Sequence, residues 1–216
     1  MIKAIIFDMD GVLIDSELYF QTNLQNHLKH YGITASMEDL LPIVGGTQQH
    51  YDMVLNPFLK KANISREEFD SYSQNFYINN PTPYKTLLNP HVEDVLKWLK
   101  QRNYKIAIAS SSKMHEIKEF LDTCNLKKYF DLIMSGEMFI ESKPNPEIYI
   151  VCVEKLNLQV NECIAVEDSE YGIIAAKKAQ LLCIAKQDHR FQNNQKYADY
   201  HINDLIEIIQ IIKEVQ

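Results

Sequence analysis

Two carboxylates, Asp8 and Asp10, stand one residue apart at the end of a short apolar run, and Gly11 follows them directly. The apolar run, residues 2–7, is rich in β-branched side chains and predicts a buried strand. Carboxylates this close together repel each other, and each raises the pKa of its neighbour. A strand that ends in two such groups indicates that a positive charge shares the site with them.

Further polar residues follow other predicted strands or stand in the loops between them. They are Ser110, Ser111 and Ser112 after a second strand, Lys143 in the loop ESKPNP, and Glu167 with Asp168 after a later strand. Sites in open α/β sheets form at the carboxyl ends of the strands, so we expect these groups to converge there. Convergence would bring together four carboxylates, one ammonium group and a set of hydroxyls and backbone amides.

This combination suits magnesium-assisted phosphoryl chemistry. A hard divalent cation relieves the repulsion between clustered carboxylates, and Mg²⁺ characteristically binds one or two of them together with water and phosphate. Lys143 alone cannot neutralise four carboxylates, but it can hold a dianionic phosphoryl group beside the metal ion. The two aspartates are then tolerated because a metal ion and a phosphoryl group share their site.

The elements that must position these residues alternate between strands and helices. Continuous apolar runs predict strands, and apolar residues at helical spacing predict the helices between them. The later strands are predicted at residues 105–110, 130–135, 163–168 and 181–185, with helices near Pro90, Met114, Pro146 and Gly172 and at the end of the chain. Buried strands that alternate with helices imply a parallel sheet covered on both faces. We therefore predict an α/β fold with a doubly wound parallel-sheet core.

A helical unit is inserted after the first strand. Residues 16–80 carry no strand signal and look helical, with Gly32 ending the first helix and a capping-box sequence at residues 65–68 starting the last. A proline-rich link, residues 81–90, leads back to the alternating part of the chain. We predict a core domain of residues 1–15 and 84–216 and an all-helical domain of residues 16–83.

Composition favours a globular protein with a small-molecule partner. The 216 residues are 46% hydrophobic, which suffices for one domain with a smaller insertion. The 22 basic and 29 acidic residues give a formal charge of -7 and form no basic block that could neutralise a nucleic-acid backbone. A small anionic substrate is compatible with this charge, because one lysine and a few backbone amides can form a local positive site.

Cysteine usage and hydropathy indicate the compartment. The four cysteines are widely spaced and form no C-x-x-C pair, which favours a reducing environment over a disulfide framework. No apolar run approaches the roughly 18 residues of a membrane span, and the N-terminal run is too short for the core of a signal peptide. We expect a cytoplasmic, monomeric protein that binds a small phosphorylated metabolite and contacts neither nucleic acid nor membrane.

Four segments resemble, in the same order, the four motifs of the haloacid dehalogenase (HAD) superfamily. They are D-M-D-G-V at residues 8–12, the strand end at Ser110, K-P-N-P at residues 143–146 and E-D-S at residues 167–169. Together they span nearly the whole chain. The helical insertion resembles the cap of the subgroup that contains β-phosphoglucomutase and small sugar phosphatases. The resemblance implies a HAD-like Rossmannoid core with an inserted helical cap.

The resemblance also implies roles for the acidic residues. Asp8 is expected to be the nucleophile that forms an aspartyl-phosphate, and Asp10 the general acid and then the general base. Mg²⁺ is expected to bind Asp8, the backbone carbonyl of Asp10, and Asp168. Glu167 is expected to bind the metal ion directly or through water.

The phosphoryl oxygens are expected to contact Ser110, the amides that follow it, including that of Ser111, and Lys143. A plain structural reading of the serines is that they cap the next helix, and we expect this of Ser112. Contacts to the rest of the substrate are expected from cap residues Ser16, Glu17, Gly45, Gly46 and Thr47. For the last three, a plain flexible turn is the alternative.

The reaction type depends on a few positions. Dehalogenases of the superfamily lack the second aspartate and need no metal ion, so Asp10 favours phosphoryl transfer. β-Phosphoglucomutases carry a histidine and an arginine in the cap where this chain has Phe20 and Gln48. A mutase must bind the second phosphate of a bisphosphate intermediate, a task suited to a guanidinium group. We therefore predict a Mg²⁺-dependent phosphatase acting on a small phosphomonoester, such as a sugar phosphate. A hexose-phosphate mutase is the first alternative, and a non-catalytic binding protein on the same fold is the second.

Overall fold

The computed structural model describes residues 1–45, 48–191 and 193–216. The chain divides into two compact units. The first consists of Met1–Asp15 and Tyr84–Gln216, and the second of Ser16–Pro83. No helix among the described residues has both the length and the apolar character that crossing a membrane requires.

The second unit is helical throughout its described residues. Its helices are α1 (Glu17–His30), α2 (Met37–Leu40), α3 (Gln48–Ala62) and α4 (Arg66–Asn79). Gly32, with φ of 71°, follows the end of α1, and Ser65 Oγ accepts a hydrogen bond from the N–H of Glu68 at the start of α4. Both helix ends lie where the sequence predicts them. Glycine adopts the left-handed conformation without steric cost, and serine satisfies an N–H that the helix leaves unpaired.

A six-stranded parallel sheet forms the centre of the first unit. Its strands are β1 (Ala4–Phe7), β2 (Lys105–Ser110), β3 (Leu132–Ser135), β4 (Cys163–Glu167), β5 (Leu182–Lys186) and β6 (Tyr200–Ile202). They lie in the order β3-β2-β1-β4-β5-β6, and every neighbouring pair is parallel. β1 is therefore central, at the point where the strand order reverses and where sites of such sheets form. The predicted fold class is confirmed.

Alternate residues of the strands face two different layers of helices. These helices are α5 (Tyr84–Leu87), α6 (Val92–Gln101), α7 (Met114–Thr123), α8 (Glu147–Lys155), α9 (Glu170–Lys178) and α10 (Ile208–Glu214). On one face, Ile5 and Phe7 of β1 pack with residues of α6, α7 and α10. On the other, Ala4 and Ile6 pack with residues of α8 and α9. Because both faces are covered, β1 to β5 are apolar except at their end residues.

Some elements differ from the predictions. β6 is three residues long and pairs with β5 at the sheet edge, and α5 is a single turn within the stretch predicted as a link. Segments this short show no measurable periodicity, so the sequence pattern does not reveal them. The helix predicted to begin at Pro90 begins at Val92, because His91 takes the left-handed conformation with φ of 59° and stands outside the helix.

Candidate active site

Three of the predicted acidic residues and Ser110 lie at one edge of the sheet. Asp8 follows β1, Ser110 is the last residue of β2, and Glu167 is the last residue of β4, with Asp168 next to it. These three strands are adjacent and parallel, so their carboxyl ends meet at the same edge. All four residues are buried, with exposures of 8% for Asp8, 1% for Ser110, 0% for Glu167 and 4% for Asp168. The edge is therefore both acidic and largely shielded from water.

Lys143 lies in the loop before α8, and its ammonium group joins three strand ends. Nζ donates to Asp8 Oδ1 at 2.8 Å, to the Ala109 carbonyl at 2.9 Å and to Glu167 Oε1 at 2.5 Å. An ammonium group has three donors, and all three are used. Burial lowers the pKa of Lys143, but Asp8 and Glu167 raise it by more, so it lies above its ordinary value. Lys143 is thus a permanent buried cation.

Glu167 is the most deeply buried acid at this edge. Burial raises its pKa to about 7, although the Lys143 ammonium acts in the opposite direction. Its Oε1 accepts hydrogen bonds from Lys143 and from the Tyr149 hydroxyl, each at 2.5 Å. Its Oε2 is buried and meets no hydrogen-bond partner among the described residues. Leaving a buried acceptor unpaired costs about 1–3 kcal/mol, so this oxygen has the capacity to bind a cation.

Three carboxylates form what we call the acidic cluster. Asp8, Glu167 and Asp168 each offer an oxygen, and these oxygens lie within 4.8 Å of one another. Lys143 contributes one positive charge beside these three carboxyl groups. An all-oxygen donor set with this charge fits a hard divalent cation such as Mg²⁺. Glu167 Oε2, which has no hydrogen-bond partner among the described residues, strengthens the fit, because Glu167 belongs to the same cluster.

Two glycines leave room for these carboxylates. A Cβ at Gly11 would overlap the carboxylate of Asp168, and Gly11 has φ of 72°, a conformation that favours glycine. A Cβ at Gly172, in α9, would overlap the carboxylate of Glu167. The acidic side chains therefore occupy space that any other residue at these two positions would fill.

The Asp10 carboxylate is engaged separately, by the loop after β2. Ser112 Oγ donates to Asp10 Oδ2 at 2.5 Å, and Ser110 Oγ accepts from the N–H of Ser112 at 3.0 Å. Ser135 Oγ, at the end of β3, donates to the Ser112 carbonyl at 2.7 Å. These hydrogen bonds fix the loop after β2. They also connect Asp10 with Ser110 through Ser112.

The prediction that Ser112 caps the following helix is wrong. α7 begins at Met114, and Lys113 is the residue at its N-terminal boundary. The N–H of Lys113 donates instead to Glu116 Oε2 at 2.9 Å. Ser112 stands one residue too early for the cap, and its hydroxyl is used by Asp10. Ser111 is exposed between these two serines.

The structure adds contacts that sequence reasoning missed. Tyr149, which received no role from the sequence, contacts the Glu167 carboxylate, and Ser112, expected only as a helix cap, contacts that of Asp10. Gln195 Nε2 donates to the Asp168 carbonyl at 2.6 Å and to the Lys186 carbonyl at 2.9 Å, which ties the loop after β5 to the acidic cluster. The position of Tyr149, three residues after the K-P-N-P segment, is the one signal that could have drawn attention to it. Gln195 carries no such signal.

The predicted substrate-contacting residues belong to the second unit. Ser16 is fully buried and directly precedes α1, whose first residue is the half-buried Glu17. Gly45 has φ of 61°, in the left-handed region. Gly46 and Thr47 lie outside the described residues. The acidic cluster, by contrast, consists of residues of the first unit.

The two positions that bear on mutase chemistry also lie in the second unit. Gln48 is exposed at the start of α3, and its Nε2 donates to Asp52 Oδ1 at 2.8 Å, one helical turn away. Phe20, in α1, is 37% exposed and packs edge-on against the Tyr77 ring. Neither side chain carries the charge that would bind a second phosphate group.

The class of protein follows from a comparison with known families. A sequence model of the haloacid dehalogenase-like hydrolases matches residues 5–186. The chain belongs to this family, and it is an enzyme of the subgroup that includes sugar phosphatases and β-phosphoglucomutase. The family predicted from the four motifs is thereby confirmed.

Individual relatives resemble the chain over nearly its full length. It is 31% identical over 219 residues to the phosphorylated carbohydrates phosphatase of Thermotoga maritima, covering 99% of each protein. It is 31% identical over 212 residues to hexitol phosphatase B of Escherichia coli, covering 96% of this chain and 94% of that protein. The crystal structure of β-phosphoglucomutase from Clostridium difficile is similar with a TM-score of 0.80 at 26% identity, covering 100% of this chain and 97% of that one.

Proposed function

We propose that this protein is a Mg²⁺-dependent phosphatase that hydrolyses a small phosphomonoester, with phosphorylated sugars as the favoured class. The observation that carries the proposal is the position of Asp8. Its Oδ1 is held 2.8 Å from Lys143 Nζ, within the acidic cluster at the end of the central strand. The names of two relatives, a phosphorylated carbohydrates phosphatase and a hexitol phosphatase, support the same class of substrate.

In the proposed reaction, Asp8 and Asp10 have separate roles. An oxygen of Asp8 attacks phosphorus and forms an aspartyl-phosphate while the bond to the ester oxygen breaks, and Asp10 donates its proton to the departing alcohol. Asp10 then removes a proton from water, whose oxygen attacks phosphorus and releases inorganic phosphate and free Asp8. The Ser112 hydroxyl, 2.5 Å from Asp10 Oδ2, holds the Asp10 carboxyl group for both proton transfers.

The acidic cluster would hold the metal ion. Asp8 and Asp168 would bind it through their carboxylates and Asp10 through its backbone carbonyl, with Glu167 as a direct or water-mediated ligand. When bound, Mg²⁺ neutralises charge on the phosphoryl oxygens and on the cluster itself. The Asp10 carboxylate would stay outside this set, in keeping with its hydrogen bond to Ser112.

Ser110, the backbone amide of Ser111 and Lys143 would bind the phosphoryl oxygens. The three protons of the Lys143 ammonium already reach Asp8, Ala109 and Glu167. A phosphoryl oxygen must therefore replace or share one of these acceptors when substrate binds. Donors held in place before the reaction stabilise the charge that develops in the transition state.

The second unit, residues 16–83, would be the cap domain that recognises the rest of the substrate, and residues 1–15 and 84–216 would be the catalytic core domain. The proposed contacts are Ser16, Glu17, Gly45, Gly46 and Thr47. We also propose that the protein works as a cytoplasmic monomer. All four cysteines lie within the described residues and are free thiols, as is usual in a reducing compartment.

A hexose-phosphate mutase is the alternative, favoured by the structural similarity to β-phosphoglucomutase. The phosphatase is preferred because Gln48 stands where the mutases carry an arginine. Glutamine has no guanidinium group to bind a second phosphate. The Gln48 side chain donates its hydrogen bond to Asp52 within the same helix.

A panel of phosphoesters, assayed with and without Mg²⁺, tests the proposal. Free phosphate and isomerised product are both measured, with β-glucose 1-phosphate and a bisphosphate primer among the substrates. We expect Mg²⁺-dependent phosphate release that the variant Asp8→Asn loses. Isomerisation without phosphate release would establish the mutase instead. Full Mg²⁺-dependent activity in Asp8→Asn would exclude Asp8 as the nucleophile.

A further inference from the structure

We propose that Tyr149 is a positioning residue that orients the Glu167 carboxylate toward the metal ion. This inference rests on the proposed function, because it concerns the Mg²⁺ site of that reaction. Tyr149 lies in α8 and is fully buried. Its hydroxyl contacts the acidic cluster at Glu167, and its ring faces the Lys143 ammonium group.

The hydrogen bonds of Glu167 are distributed unevenly over its two oxygens. Oε1 accepts from both the Tyr149 hydroxyl and the Lys143 ammonium, each at 2.5 Å. Oε2 accepts none within the described part of the chain, although it is fully buried. Two donors on one oxygen fix the orientation of the carboxylate, because a rotation that brought Oε2 to either donor would break the existing bonds. Oε2 therefore keeps its lone pairs available for a cation.

The carboxylate of Glu167 also packs against α9. A Cβ at Gly172 would overlap Cδ and both oxygens of Glu167, so the carboxylate lies directly against the helix backbone. Tyr149 on α8 and Gly172 on α9 thus confine the same group from two elements. The carboxylate confined in this way is the one that Glu167 contributes to the acidic cluster with Asp8 and Asp168.

The aromatic ring of Tyr149 has a second contact that is independent of its hydroxyl. Lys143 Nζ lies 5.2 Å from the centre of the ring, within the range of a cation–π interaction. Phenylalanine at this position keeps the ring, its packing and this contact. The variant Tyr149→Phe therefore removes the hydrogen bond to Glu167 and little else.

Loss of a group that orients a metal ligand typically reduces metal affinity by about 10- to 100-fold. We expect the Kd of Tyr149→Phe for Mg²⁺, measured by titration calorimetry without substrate, to rise about tenfold. At saturating Mg²⁺ we expect its KM for a phosphoester to stay within about twofold of wild type, because the phosphate-binding groups are untouched.

The matched control is Tyr129→Phe. Tyr129 is also buried in the first unit, and its hydroxyl donates to a carboxylate oxygen, Glu93 Oε1, at 3.1 Å. Neither residue belongs to the acidic cluster, so the Kd for Mg²⁺ should match that of wild type. An unchanged Kd in Tyr149→Phe, or an equal rise in both variants, would overturn the proposal. A lower melting temperature in Tyr149→Phe with unchanged Kd would show a merely structural role.

A second variant decides the matter if Tyr149→Phe does not fold. Gly172→Ala displaces the same carboxylate by adding a methyl group on α9 and should weaken Mg²⁺ binding to a similar degree, whereas wild-type affinity would count against the inference. Failure of the proposed function is recognised separately, as a wild-type protein that binds Mg²⁺ but releases no phosphate from any ester. A wild-type protein that binds no Mg²⁺ would overturn both.

Discussion

Ser112 Oγ lies 2.5 Å from Asp10 Oδ2, although the two residues are 102 positions apart in the chain. The hydroxyl donates to the carboxylate, and the loop that carries it is fixed in turn by Ser110 and Ser135. A general acid must hold its proton at one defined place, because proton transfer succeeds only within hydrogen-bond reach of the leaving oxygen. The serine loop after β2 therefore orients the proposed acid, in addition to the phosphate contacts proposed for Ser110 and Ser111.

Replacement of Ser112 by alanine should lower kcat about tenfold, since general acid–base catalysis contributes about 10²–10⁴ and the variant loses only the orientation of the acid. KM should change little. Steady-state kinetics on the best substrate of the phosphoester panel measure both. Ser112→Thr keeps the hydroxyl and should restore most of the rate. Equal rates for the alanine variant and wild type would show that Asp10 needs no such support.

Lys143→Met keeps the length of the side chain but removes its charge, which leaves Asp8 and Glu167 buried without a cation. Removal of one partner from a buried ion pair typically costs about 3–5 kcal/mol, so the free energy of unfolding should fall by this amount. Urea denaturation in buffer free of divalent cations provides the measurement. Phosphatase activity should be lost as well.

Lys100→Met is the control for this prediction. Lys100 pairs with Asp131 at 2.8 Å, but both side chains are about one-third exposed, at 32% and 38%. An ion pair of this kind contributes at most about 1 kcal/mol. If the two variants lost equal stability, the buried position of Lys143 would have no special energetic role.

His27, in α1, should make the stability of the protein depend on pH. The residue is 2% exposed, and its Nδ1 lies 3.0 Å from Ser73 Oγ. Burial lowers its pKa below the ordinary 6.5, and the neighbouring His30 lowers it further. His27 therefore binds a proton less tightly in the folded protein than in the unfolded chain, where it becomes protonated below about pH 6.5. The free energy of unfolding should fall as the pH drops from 6.5 through the lower folded pKa, by at most about 1.4 kcal/mol per pH unit.

Urea denaturation of wild type and His27→Gln between pH 8 and pH 5 measures this contribution. Glutamine stays neutral, so the difference in unfolding free energy between the two proteins should change with pH only below about 6.5. His115→Gln, at an exposed position of α7, should keep the wild-type pH profile. A His27→Gln profile parallel to wild type over the whole range would contradict the prediction.

Local patterns predicted much of the fold because they report local physics. The apolar runs became β1 to β5, since a strand buried on both faces needs apolar residues at every position. The start of α4 at Arg66 followed from the capping serine before it. β6 was missed because its three residues include the exposed His201, and its pairing with β5 depends on a distant part of the chain.

The acidic residues of the candidate site were predictable for a related reason. Asp8, Glu167 and Asp168 follow apolar strands, where a charge is costly unless a ligand or counter-ion is present. Their residue types therefore stand out in the sequence. Tyr149 and Ser112 do not, because a tyrosine on a buried helix face and a serine in a loop are ordinary residues. Only their contacts with Glu167 and Asp10 distinguish them.

The sequence alone determined which residues carry charge at strand ends. The alternation of apolar strands with helices predicted the parallel sheet, and four motifs in order predicted the family. The tertiary structure decided how those charges are shared. It gave all three protons of Lys143 to protein acceptors, placed two donors on one oxygen of Glu167 and left the other without one in the described chain. The physical reason is the separation of the interacting residues along the chain. Strand and helix patterns arise from residues that are near neighbours in the sequence. Hydrogen bonds across this site join residues from 18 to 135 positions apart, and only the folded chain brings them within reach.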